Sequence, residues 1–213
     1  MKTIIFKNGP MDTNSYISID ENKKECFIID PASSDIINHT ALKENKAKFI
    51  LLTHGHIDHI EGIPEIVKLI PDIPIYAHIE EKEFIINPAF NLSILTGKSL
   101  ELSRYNINYI SGNNIIDFNG IKIQVIHTPG HTPGSVCYFI EQENTLFSGD
   151  TLFKGSIGRT DFPGGDFDKM QNSLKKIIKN FKDETIIYPG HGINSVLKNK
   201  KKYNPYLTDY AKI

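Results

Sequence analysis

The stretch from Phe49 to Gly62 constrains this chain more than any other. Phe49–Thr53 is an almost unbroken apolar run and reads as a strand buried on both faces. It gives way to His54-Gly55-His56-Ile57-Asp58-His59, and from there apolar residues fall at 60, 63, 66, 67 and 70, which is helical spacing. Three imidazoles and a carboxylate therefore sit where a strand ends and a helix begins. Alternate side chains of an extended chain point the same way, so His54 and His56 can face one metal ion together. The turn into the helix redirects the chain, so Asp58 and His59 can face a second. Gly55 lets the backbone approach closely. Crowding so many ionisable groups together without a ligand would be costly, and imidazole with carboxylate is the donor set of zinc, iron or manganese.

Three further donors follow, each in a Gly- or Pro-containing strand-end context. They are His131 in Thr128-Pro-Gly-His-Thr-Pro-Gly-Ser135, Asp150 in Ser148-Gly-Asp-Thr151, and His191 in Pro189-Gly-His-Gly192. Pro and Gly at such places set sharp turns that aim a side chain outward. His39 and His78 have no comparable surroundings and read as solvated or core histidines. His127 is open between an outer support for His131 and an ordinary strand residue.

Around these motifs, short runs rich in Ile, Val, Phe, Tyr and Thr predict strands at Thr3–Phe6, Ser15–Ile19, Cys26–Ile29, Phe49–Thr53, Ile75–Ala77, Ile121–Ile126, Ser135–Ile140, Thr145–Ser148 and Thr185–Tyr188. Asn119-Gly120 predicts a hairpin turn between Ile115–Phe118 and Ile121–Ile126. Helices are expected at Ser33–Asn45, Ile60–Ile70, Asp166–Asn180 and Gly192–Tyr203, the third with Phe167, Met170, Leu174, Ile177 and Ile178 on one stripe and Asp166 as its cap. Mixed sheets with helices outside, in one domain over 1–213, fit this order. Glu80–Tyr105, interrupted by Asn87-Pro88, reads as a long loop of the kind that carries function.

Bulk properties exclude several classes. With 24 basic and 25 acidic residues in 213, nothing points to nucleic acid or an anionic membrane surface. The basic run Lys198–Lys202 reads as a solvated helix face. Cys26 and Cys137 lie in apolar strand-like runs and read as small buried hydrophobes. The opening residues are too short of apolar character for a signal peptide, and no run reaches membrane-spanning length, so a cytoplasmic protein is expected.

The pattern His-x-His-x-Asp-His at 54–59, followed in order by His131, Asp150 and His191, resembles the metallo-β-lactamase superfamily, and the resemblance covers nearly the whole chain. Asn14-Ser15-Tyr16 and Ile28-Ile29-Asp30-Pro31 are similar to that family's first two strand ends, with Ala32 where Gly is usual. The resemblance implies an α+β fold, a four-layer αββα sandwich of two mixed sheets flanked by helices. It implies two divalent metal ions, zinc first and iron or manganese as alternatives. His54, His56 and His131 would hold one, Asp58, His59 and His191 the other, and Asp150 would bridge them. Metals so placed lower the pKa of a shared water, and the resulting hydroxide would attack a carbonyl. Asp58 would serve as ligand and as proton acceptor, so Asp58 and Asp150 are the candidate catalytic residues.

Within the superfamily, Thr128–Ser135, Gly149-Asp-Thr-Leu-Phe153, Gly158-Arg-Thr-Asp-Phe-Pro-Gly-Gly-Asp166 and Asn204-Pro-Tyr-Leu207 resemble the short bacterial branch of glyoxalase II, which hydrolyses thioesters such as S-lactoylglutathione. The longer members carry a helical domain that grips glutathione, and this chain ends too soon after His191 to contain it. Arg159 stands where those members have Lys and could pair with a substrate carboxylate. Asp161 stands where they have Tyr; it would repel such a carboxylate or pair with Arg159 inside the loop. The main rival is a persulfide dioxygenase of the same superfamily, with iron on His54, His131 and Asp150 and the same Gly-Arg-Thr-Asp-Phe run. A nucleic-acid-processing member, a β-lactamase and a metal-binding module without activity are further alternatives.

Overall fold

The computed structural model describes residues 1–9 and 11–207; the expected domain of 1–213 also takes in 10 and 208–213, which lie outside the described residues. The chain divides into two compact units, Met1–Ile110 and Ser111–Ile213.

In the first unit the strands β1 (Lys2–Asn8), β2 (Thr13–Asp20), β3 (Glu25–Ile29), β4 (Lys46–Leu51), β5 (Ile75–His78) and β6 (Ile107–Ile110) form a sheet in sequence order. The first three are an antiparallel meander, and β3 to β6 then pair in parallel. Its core is mainly isoleucine and alanine, with Ile17, Ile28, Ile50, Ile60, Ile63 and Ile75 fully buried. Parallel pairing sets Ile29 opposite Leu51, so Asp30 and Thr53 leave the same end of neighbouring strands. The carboxyl ends of parallel strands are where open α/β sheets place their ligands.

Two expected helices are each split. Ser33–Asn45 becomes a 3-10 turn at Ser34–Asn38, capped by Ser33, and then α1 (Thr40–Glu44). The break falls at His39, whose backbone is extended and whose Nδ1 accepts the Ala41 N–H to start the second piece. Ile60–Ile70 becomes α2 (Ile57–Ile60) and α3 (Ile63–Leu69), with the first beginning earlier than the apolar spacing indicates. The Glu80–Tyr105 stretch is not a plain loop. A 3-10 turn at Ile79–Glu81 runs into α4 (Lys82–Ile86), and a second 3-10 turn spans Ser93–Thr96. The turn around it is closed by two buried side chains. Asn91 Nδ2 donates to the Leu100 carbonyl at 2.9 Å, and Ser93 Oγ accepts the Leu100 N–H at 3.0 Å.

In the second unit β7 (Ile115–Phe118), β8 (Ile121–His127), β9 (Val136–Ile140), β10 (Thr145–Gly149), β11 (Ile186–Pro189) and β12 (Ser195–Val196) form a sheet of order 12-11-10-9-8-7. Only β10 and β11 are parallel. The Asn119-Gly120 turn has both residues at positive φ, +59° and +88°, as a two-residue hairpin of this handedness requires. Helix α5 (Phe167–Asn180) is capped by Asp166, which accepts the Lys169 N–H, and it buries Met170, Leu174 and Ile177 against Leu146 and Ile187. Phe167, expected on that stripe, is exposed because it lies in the first turn.

Gly192–Tyr203 is not one helix: β12 comes first, then α6 (Leu197–Tyr203). Nor is its basic run wholly solvated. Lys200 is fully buried, on the same face of α6 as Leu197 and Asn204. Cys26 and Cys137 are buried free thiols, and burial pushes them up to about 12 and about 11 respectively. No helix among the described residues is long and apolar enough to cross a membrane.

Candidate metal centre

The first unit gathers His54, His56, Asp58 and His59 in the eight residues that follow β4. The three histidines are buried. The His54 ring centroid lies 4.8 Å from that of His56 and 4.1 Å from that of His59. Three imidazoles this close cannot all be protonated, because like charges at such range repel.

What orients them is Asp30, a residue to which the sequence reading gives no role. It is buried, sits at the left-handed φ of +48° just after β3, and presents its carboxylate to three donors. Oδ1 accepts the Thr53 N–H at 2.8 Å; Oδ2 accepts the Thr53 hydroxyl at 2.6 Å and lies 2.9 Å from His59 Nδ1. A carboxylate can only accept there, so His59 carries a proton on Nδ1, and in the neutral ring the lone pair is on Nε2. The Thr53 hydroxyl points its hydrogen at Asp30, so at 3.2 Å it accepts from His54 Nδ1, and the neutral His54 ring too has its lone pair on Nε2. One buried carboxylate thus fixes the tautomers of two histidines, the outer-shell arrangement typical of metal-ligating imidazole. Asp58 is held separately: Thr13 Oγ1 donates to its Oδ2 at 2.9 Å, and the same oxygen is 3.5 Å from His59 Nε2.

The second unit gathers His131 and His191 around Asp150. Its Oδ2 lies 3.6 Å from His131 Nε2 and 3.5 Å from His191 Nε2. His131 stands in the loop joining β8 to β9, and its Nδ1 donates to the Arg159 carbonyl at 2.7 Å, which again leaves the lone pair on Nε2. Asp150 and His191 follow the parallel strands β10 and β11, whose ends are in register at Gly149 and Pro189. His127, left open by the sequence, braces the His131 loop from its base: Nε2 donates to the Pro133 carbonyl at 2.8 Å. His78 Nδ1 accepts the Glu80 N–H at 3.3 Å.

Arg159 is exposed. Its Nε and Nη2 both donate to Asp161 at 2.7 Å, and its guanidinium stacks 3.6 Å above the Phe162 ring. The pair raises the Arg159 pKa and lowers that of Asp161, in each case through the hydrogen bonds first. Of the two roles open to Asp161, the structure shows the internal pair. The supports that sequence reasoning misses are Asp30, Thr13, Thr53 and the Arg159 carbonyl. Only Asp30 carries a signal, as an Asp-Pro at the end of an apolar run.

The donor set fits a divalent metal. Ligand bonds of about 2.0–2.1 Å in a tetrahedron put neighbouring donors roughly 3.3 Å apart, close to the 3.5 and 3.6 Å separations within each unit. The family model for the metallo-beta-lactamase superfamily matches residues 8–191. The chain belongs to that superfamily. Its metallo-beta-lactamase fold is accordingly the expected α+β sandwich with two mixed sheets flanked by helices, and the superfamily groups it with metal-dependent hydrolases. It is 31% identical to "Probable metallo-hydrolase YqgX" of Bacillus subtilis (strain 168), over 95% of this chain and 96% of that one. It is 30% identical to the hydroxyacylglutathione hydrolase GloC of Haemophilus influenzae, over 88% and 89%. Among solved structures it is similar to the BLEG-1 B3 metallo-beta-lactamase, with a TM-score of 0.90, 34% identity, and coverage of 97% and 100%.

Proposed function

We propose that this metallo-beta-lactamase superfamily member hydrolyses a small thioester of the S-lactoylglutathione class, as one hydrolase domain over residues 1–213. The observation that carries the reading is the anchoring of His54, His59 and His131 through Nδ1, which turns three Nε2 lone pairs into ready ligands. In this proposal His54, His56 and His131 hold one divalent ion, Asp58, His59 and His191 hold the second, and Asp150 is shared. All are nitrogen or oxygen donors, so zinc is the first choice and iron or manganese would also be accepted. Such ions, when bound, supply Lewis acidity and an ionised water near neutral pH.

The chain's own contribution is orientation and proton handling. Asp30 and Thr53 hold Nδ1 of His54 and His59, so that in the neutral rings Nε2 is the atom offered to a metal. Thr13 fixes Asp58, which accepts a proton from the attacking water and returns it to the departing sulfur, so that thioester and water become carboxylic acid and thiol. Arg159 remains the contact proposed for a substrate carboxylate, and its bond to Asp161 must then be shared or opened. The similarity to the hydroxyacylglutathione hydrolase of Haemophilus influenzae supports the thioester. The substrate is a small molecule, neither nucleic acid nor membrane lipid. The same reading places the protein in the cytoplasm, where Cys26 and Cys137 stay reduced.

The test is turnover of S-lactoylglutathione by zinc-loaded protein, beside a chelated sample and Asp58→Ala. Turnover lost in both controls supports the proposal. A metal-loaded protein inactive on thioesters but active on a β-lactam, or consuming oxygen with glutathione persulfide, would replace it.

A further inference from the structure

The residue between His54 and His56 touches a carboxylate that the site does not use. Gly55 donates its N–H to Glu81 Oε2 at 2.7 Å, and Glu81 is 1% exposed. Glu81 lies at the end of the 3-10 turn that opens α4, within a stretch whose role the sequence leaves open. A buried carboxylate is costly unless hydrogen-bonded, and bonds from backbone N–H to an ionised oxygen are among the strong ones.

Two neighbouring contacts join the same partner segment. The Phe84 ring meets the His56 ring edge-on at 5.9 Å, and the Asn91 carbonyl accepts the Ile57 N–H at 2.8 Å. Residues 55, 56 and 57 are thus each held by the stretch 81–91. The fit is close: a Cβ at Gly55 would stand 2.8 Å from Phe84 Cβ and 3.0 Å from Glu81 Oε2. Gly55 needs no left-handed backbone here; it is required because Glu81 and Phe84 press against it.

We propose that Glu81 is a positioning residue: by gripping the Gly55 N–H it fixes the peptide that spaces His54 from His56, and so sets how tightly that pair holds its divalent ion. The inference rests on the metal-site reading above. A rotation of the His54–Gly55 peptide would swing one imidazole relative to the other, and the Glu81 bond is what opposes it.

Reach and charge can be separated. Glu81→Gln keeps an acceptor oxygen at the same reach and loses the charge. Glu81→Asp keeps the charge and withdraws the oxygen by one methylene. Zinc affinity is read by competition with a chromophoric chelator, with far-UV circular dichroism of each metal-free variant alongside. Positioning requires Glu81→Gln to stay within about threefold of wild type and Glu81→Asp to lose roughly 10–100-fold, the usual cost of an outer-shell support. It also requires kcat to fall in Glu81→Asp with KM for the thioester unchanged. Equal affinities in the two variants, or the reverse order, overturn the proposal while leaving the metal site standing. A wild-type protein that binds no zinc, iron or manganese overturns the metal-site reading itself, and this inference with it.

Discussion

Asp30 does at the residue scale what no single ligand does. Its two oxygens serve a strand end, a hydroxyl and an imidazole, so its loss would release His59 directly and His54 through Thr53. Asp30→Asn retains the left-handed backbone, which Asn tolerates as Asp does, but offers an amide in place of one acceptor. We expect metal affinity to fall roughly 10–100-fold with little change in the secondary structure of the metal-free protein; isothermal titration with zinc checks this, and unchanged affinity would remove Asp30 from the site. The ligand candidates themselves were legible in the sequence because each is a chemically distinctive residue in a sharp local frame, such as Pro-Gly-His-Gly. Asp30 and Thr13 were not, because their partners lie 29 and 45 residues away. Asp-Pro marks Asp30 without naming its partners, and a threonine at a strand start is unremarkable until the sheet folds.

The elements around the site work by close approach. Gly158 shows the limit: a Cβ there would stand 1.9 Å from the Asp150 carbonyl oxygen and 3.1 Å from His131 Nδ1. The loop that carries Arg159 can bring its carbonyl within reach of the His131 Nδ1–H, whose hydrogen bond it accepts, only because Gly158 has no side chain. Gly158→Ala should cost about 1–3 kcal/mol by overpacking and weaken metal binding as well, seen as a lower urea midpoint for the metal-free protein and a weaker zinc titration. A midpoint within error of wild type would mean that the loop moves freely. Strands were read well from β-branched runs, while helices were read too long. Periodicity continues across His39 and across Glu61-Gly62, but the backbone breaks there, where Gly62 N–H is claimed by the Pro31 carbonyl at 2.7 Å. The short strands β6 and β12 gave no usable signal, being too brief for alternation to register.

For the molecule as a whole, Lys200 is the main departure from good packing. It is fully buried, its Nζ has no hydrogen-bond partner among the described residues, and burial, with the Lys154 charge second, lowers its pKa to about 7. Unfolded, it titrates near 10.5. Between about 7 and 10.5 the unfolded chain therefore binds the extra proton, and stability rises with pH across that window. Below about 7 both states are protonated and the penalty is complete; above 10.5 it has gone. Lys200→Met should accordingly stabilise most at or below pH 7 and progressively less toward pH 10. A gain of ~2 kcal/mol would raise Tm by roughly 4–8 °C, and thermal scans at several pH values check both size and trend. A gain that does not shrink with pH would show that the Lys200 pKa is not lowered in the fold and that the amine stays protonated there.

The pairing of β3 with β4 sets an order of events in time. Asp30 and Thr53 reach one another only when those two strands lie side by side, and they are parallel, so a long crossover has to be closed first. The imidazoles of 54–59 are consequently oriented only once that pairing has formed, whereas the β1–β2–β3 meander needs local contacts alone. A metal ion meeting the unfolded chain finds His54, His56 and His59 close in sequence but not yet oriented. It can stabilise the finished protein by mass action, but it is poorly placed to guide the chain there.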